Sequence, residues 1–210
     1  MDRKKSNLIQ KRLRAWYGEV TPDLHFGNLY QLTIAVVLSA QTTDKQVNAV
    51  TPVLFDRYAD FSSLAGARLP DVETIIKSTG FYRNKAKNII TLSRAVMERF
   101  HGTLPAERDA LESLPGVGRK SANVILSMGF DIPALAVDTH VMRIANRLAY
   151  IRSEDPFRVE ESLTALIPEK CWKITHLILI AHGRRTCTAR NPRCSVCPIE
   201  DLCGSPDKTV

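Results

Sequence analysis

The chain has 210 residues, enough for one moderate domain or two small lobes whose core folds without disulfide staples. An apolar content of 44% with 24% charged residues excludes a disordered chain, and no apolar run reaches the length of a membrane span. Lys and Arg number 29 against 22 Asp and Glu, and the resulting +7 points to a polyanionic partner.

The basic start, Met1 to Ser6, is followed by no apolar stretch of the signal-peptide kind. The five cysteines, an odd number gathered from Cys171 onward, do not suit a secreted disulfide framework. Together these features predict a soluble, intracellular protein in a reducing compartment, without a membrane partner.

Along the chain the apolar residues recur at helical spacing. Ile9, Leu13 and Trp16 form the first stripe, and Val47, Val50 and Leu54 the next. Ala86, Ile89, Ile90 and Met97 follow, then Ala122, Ile125, Leu126 and Gly129. Val141, Ile144, Ala145, Leu148 and Ala149 make another stripe, and Ile174, Leu177, Ile178 and Ala181 the last. Glycines and prolines such as Pro70, Gly80, Gly102, Pro105, Pro133, Pro156 and Pro168 fall between them as punctuation. Period-two alternation is nearly absent. The expected fold is all-α, with about ten short helices.

A faint echo relates the segment from Gly80 to that from Gly116. Each sets a lysine three residues before an asparagine after a glycine turn, Lys85 with Asn88 and Lys120 with Asn123. It hints at two turns facing one ligand.

Short helices are expected over 107–114 and 121–130. Between them lies Leu114-Pro115-Gly116-Val117-Gly118-Arg119-Lys120. The glycines allow a tight turn and close approach of the backbone to a partner, and the second helix opens its positive dipole end toward that turn. A phosphate suits the place, with Arg119 and Lys120 beside it. Gly116, Val117, Gly118 and Arg119 are therefore candidate DNA contacts. Lys120 reads either as one more phosphate contact or as an amine whose pKa the helix end depresses, which a nucleophile requires. Asp138, in Val137-Asp138-Thr139-His140, is expected to cap the following helix.

The cysteines Cys187, Cys194, Cys197 and Cys203 are spaced x6, x2 and x5. Four thiols at such spacing suit a tetrahedral zinc or a 4Fe–4S cluster. Cys171 lies outside the pattern and reads as a core thiol.

Pro-Gly-Val-Gly-Arg-Lys followed by Val-Asp-Thr-His resembles the signature of the helix-hairpin-helix DNA glycosylase superfamily. Leu38-Ser-Ala-Gln-Thr-Thr-Asp44 and the cysteine spacing narrow the resemblance to its endonuclease III family, over nearly the whole chain. The resemblance implies two helical lobes with a DNA cleft between them. One spans 22–133 and holds the hairpin at about 107–130; the other joins 1–21 to 134–210. It also implies a monomeric base excision repair enzyme acting on oxidised pyrimidines in double-stranded DNA, cytoplasmic or nucleoid-associated if the source is bacterial and intracellular in any case.

By the same resemblance Lys120 is the Schiff-base nucleophile and Asp138 the carboxylate that stabilises charge on the sugar. The four cysteines hold one 4Fe–4S cluster, whose loop presents Arg190 and Arg193 to phosphates, with Arg184 and Arg185 near by. Gln41 fills the space left by the flipped nucleotide; on its own residues it reads as a capping loop residue. Phe81 stands where family members often carry a leucine wedge, and its own pattern fits a core aromatic equally well. His140 reads as a DNA contact or a packing residue. Two other readings remain: a monofunctional mismatch glycosylase, against which Lys120 stands, and a non-catalytic DNA-binding module.

Overall fold

In the computed structural model, which describes residues 1–209, eleven α-helices and no strand are present among the described residues. They are α1 (Arg3–Tyr17), α2 (Leu29–Leu38), α3 (Asp44–Arg57), α4 (Phe61–Ala65), α5 (Leu69–Ile75), α6 (Tyr82–Phe100), α7 (Arg108–Glu112), α8 (Arg119–Val124), α9 (Thr139–Arg147), α10 (Pro156–Leu166) and α11 (Trp172–Arg185). The all-α expectation holds. The helices gather into two compact units, Pro22–Ile132 and Met1–Thr21 with Pro133–Val210.

In the first unit α2 is apolar on every side, and a helix of that kind belongs in the middle of a core. Tyr30 and every residue from Leu32 to Leu38 are buried. Its polar groups are satisfied locally: the Thr33 hydroxyl donates to the Leu29 carbonyl at 2.7 Å, and the Tyr30 hydroxyl to that of Tyr58 at 2.7 Å. Around α2 the fully buried Leu54, Leu64, Ile76, Ile89, Leu92, Leu111 and Ile125 complete the core. Each such side chain contributes about 2 kcal/mol through removal from water.

The stretch expected as one helix over 121–130 is divided. After α8 the backbone widens into a π-helical turn, Ile125–Gly129, which packs against α2. Such turns insert one residue per turn and are found at functional sites more often than elsewhere.

The second unit is built on α1, α9, α10 and α11 around Ile9, Leu13, Val141, Ile144, Val159, Leu163, Ile178 and Leu179. Asp2 caps α1 by accepting from the Lys5 amide at 2.8 Å. One expectation fails here. Trp16 is 57% exposed, because the inward place in the last turn of α1 goes to Tyr17, whose hydroxyl bonds Thr186 at 2.7 Å and His182 Nδ1 at 3.0 Å. Cys171 is only partly buried and packs at the edge of this core.

Candidate active site

The hairpin joins α7 to α8 and is pinned from below by two apolar side chains, Leu114 and Val117, both buried. Val117 thus has no exposed side chain to offer a ligand. Gly116 has φ +80, which favours glycine, and a Cβ there would lie a tight 3.1 Å from Asn88 and 3.2 Å from Val37. Gly118 differs. A Cβ added to it meets nothing within 4 Å, and it precedes α8 without any side-chain cap. The protein's own packing does not demand this glycine, whereas a ligand approaching the backbone would. Lys120 is the second residue of α8 and is exposed, and Arg119 is half-buried.

Two further turns of the same unit touch each other. Gln41 and Phe81 both occupy the left-handed region, with φ 52 and φ 56. A Cβ on Gly80 would sit 3.6 Å from the Gln41 carbonyl oxygen, which places the two turns side by side. Gln41 does not cap α3. Thr43 does so, in a capping box with Gln46. Phe81 is 65% exposed, so the core alternative for it is excluded. An exposed aromatic in a disfavoured backbone conformation is costly and marks a place where something else is expected to bind.

In the second unit Asp138 is the N-cap of α9, its carboxylate accepting from the Val141 amide at 2.8 Å. The cap fixes the carboxylate at the positive end of the helix. One turn on, Arg143 Nη2 lies 3.3 Å from His140 Nδ1 and donates to the Gly183 and Cys187 carbonyls at 2.9 Å each. The two hydrogens of Nη2 are taken by the two carbonyls, and the imidazole of His140 packs beside them. Burial lowers the His140 pKa, opposed by Asp138 and helped by Arg143 and Arg184. Gly183 lets α11 approach closely here, since a Cβ on it would fall 2.9 Å from that of His140.

Cys187, Cys194, Cys197 and Cys203 are half-buried, unpaired by disulfides, and line one cavity together with Arg147 and His182. Arg147 Nη1 donates to Cys187 Sγ at 3.3 Å and to the Thr188 carbonyl at 2.7 Å, while Nη2 reaches Ala189 at 3.1 Å. A donor on sulfur suits a thiolate ligand and steadies the loop. Burial pushes the Cys197 thiol up to about 11, so ligation there must displace a proton. No three His, Cys, Asp or Glu side chains among the described residues are arranged to hold a single metal ion. Four thiols lining one cavity are a donor set that suits a 4Fe–4S cluster. Arg184, Arg185, Arg190 and Arg193 are exposed on and beside this loop.

Residues 34–169 match the HhH-GPD superfamily of base excision DNA repair proteins, and residues 187–203 match the iron–sulfur binding domain of endonuclease III. Endonuclease III of Synechocystis sp. is 45% identical over 94% of this chain and 90% of its own length. That of Escherichia coli K12 is 42% identical over 99% of both.

The chain belongs to the endonuclease III family.

In three dimensions it is similar to an endonuclease III trapped as a covalent intermediate with DNA, with a TM-score of 0.93 and 40% identity over 97% of this chain and 96% of the other. Like its family it is a base excision repair enzyme, a DNA glycosylase and abasic-site lyase that binds DNA and carries one 4Fe–4S cluster. No helix among the described residues is long and apolar enough to cross a membrane.

Sequence reasoning passed over Arg143 and Arg147. Their spacing of four on a strongly amphipathic helix does put them on one face, but nothing local signals that the face meets a loop some forty residues on.

Proposed function

We propose that Lys120 and Asp138 carry the reaction on oxidised pyrimidines everted from duplex DNA. The neutral Lys120 amine attacks C1′; the glycosidic bond breaks and the base leaves with its electron pair and takes up a proton. The Asp138 carboxylate offsets the positive charge that develops on the sugar. The sugar ring opens to a protonated Schiff base, loss of a 2′ proton follows, and the bond from C3′ to its phosphate oxygen breaks in β-elimination. Water then releases the amine. The observation that carries this reading is an exposed lysine at the start of the hairpin's second helix, in a chain so similar to one trapped covalently on DNA.

Gln41 enters the space the nucleotide leaves, and Phe81 wedges between bases. Gly116, Val117, Gly118 and Arg119 hold a phosphate through the hairpin, and His140 contacts the DNA. Cys187, Cys194, Cys197 and Cys203 hold the cluster, which organises the loop bearing Arg190 and Arg193; base excision itself requires no electrons. The protein acts as a monomer in the reducing interior of the cell, where the DNA is.

One incubation tests the enzymatic reading. Duplexes with a single thymine glycol or abasic site are cleaved without alkali. A product that needs alkali for strand cleavage indicates a monofunctional glycosylase, and no release of base at all indicates a binding module. Arg193→Ala weakens binding to all sequences alike and lowers the salt slope of log K by about 1. Titrations at several salt concentrations check this, and an unchanged slope removes Arg193 from the phosphate contacts.

A further inference from the structure

We propose that Lys85 is a positioning residue for nucleotide eversion, holding the Gln41 turn against the Phe81 turn from beneath. This rests on the glycosylase reading above.

Lys85 lies in the first turns of α6 and is only 5% exposed, which is unusual for a lysine. Its ammonium donates to Thr42 Oγ1. Thr42 in turn closes the neighbouring turn twice: its amide donates to the Ser39 carbonyl at 3.1 Å and its hydroxyl to that of Ala40 at 3.4 Å. Gln41, the left-handed residue, sits between these two anchored neighbours. The same first turn of α6 begins from Phe81, whose carbonyl accepts from the Lys85 amide at 3.1 Å. Lys85 therefore ties together, by backbone and by side chain, the two exposed residues in disfavoured conformations. Three residues on, Asn88 packs under Gly116, so α6 also supports the hairpin. The sequence echo pairing Lys85 with Asn88 and Lys120 with Asn123 acquires a physical content from this, since Asn88 supports the Gly116 turn that leads into Lys120.

No ion pair to a carboxylate is present for Lys85 among the described residues, and Thr42 is the acceptor its side chain reaches. An apolar side chain would fill the same space without the desolvation cost of an ammonium. Burial lowers the pKa of the amine, in keeping with that cost. What the lysine adds over a methionine is the donor, and the donor acts on the Gln41 turn. Left-handed non-glycine residues persist only where their surroundings over-determine them.

The test compares wild type, Lys85→Met, Thr42→Val, Gln41→Ala and the Lys85→Met/Gln41→Ala double variant. Three quantities are read under single turnover: release of thymine glycol, cleavage at a ready-made abasic site, and fluorescence of 2-aminopurine opposite the lesion. Lys85→Met and Thr42→Val are expected to lower the ratio of base release to abasic cleavage about tenfold and to reduce the fluorescence rise equally. In the Gln41→Ala background Lys85→Met is expected to add almost nothing, because both act through one turn. Equal loss of both activities, or a full multiplicative loss in the double variant, overturns the proposal. Where circular dichroism shows Lys85→Met unfolded, Thr42→Val decides, and wild-type behaviour of that variant counts against the proposal. A wild type that releases no base overturns the enzymatic reading and this proposal with it, whereas an active wild type matched by both single variants overturns this proposal alone.

Discussion

Lys120→Arg is expected to bind damaged duplex much as the wild type does and yet to lose base release by at least about 10³-fold, with no covalent adduct formed under borohydride. The substitution separates the two readings of this position. As a phosphate contact, arginine is at least as good as lysine, with more donors and a fixed charge. As a nucleophile it fails, because its guanidinium stays protonated at any workable pH. Lys120→Ala removes both roles and is expected to lose binding as well as chemistry. Lys120 is exposed and closes no core, so neither change is expected to disturb the fold. An arginine variant that retains half the wild-type rate would reduce Lys120 to a phosphate contact.

The second large effect concerns Asp138, which has two functions on one carboxylate. It caps α9, and it is proposed to face the sugar as charge develops there. Asparagine caps a helix about as well as aspartate, so Asp138→Asn is expected to change stability by less than about 0.5 kcal/mol. It offers no negative charge, and base release is expected to fall about 10²- to 10³-fold. Asp138→Ala loses the same activity and costs about 1 kcal/mol of stability besides, through the open Val141 amide. Melting curves and single-turnover rates for the two variants distinguish the roles. Equal activity in Asp138→Asn and wild type would leave Asp138 a cap and nothing more.

Much of the site can be read in the sequence because its signals are local. Pro115-Gly116-Val117-Gly118 is a turn whatever surrounds it, Asp138 precedes an amphipathic run as a cap should, and four cysteines within one loop announce a shared ligand. The rest depends on contacts between distant segments. Phe81 could not be assigned to core or surface from its neighbours, since a glycine and a tyrosine beside a phenylalanine suit either; its left-handed backbone and exposure exclude the core. Lys85 is buried although lysines usually face solvent, and its partner Thr42 lies forty-three residues earlier, where no local signal points to it. Trp16 shows the opposite error. Helical spacing placed it inward, but the inward place in the last turn of α1 goes to Tyr17, which bonds to His182 of α11 and to Thr186 after it. Periodicity reports which face of a helix is apolar, not which of two adjacent aromatic residues finds a polar partner on the neighbouring helix.

The most direct measurement is borohydride reduction of the wild-type protein on duplex DNA holding one thymine glycol, followed by proteolysis and mass mapping of the adduct. The reaction proposed here predicts a single adduct, on the peptide containing Lys120 and at its side-chain nitrogen. Release of thymine glycol without any adduct, or an adduct on another amine, would contradict it.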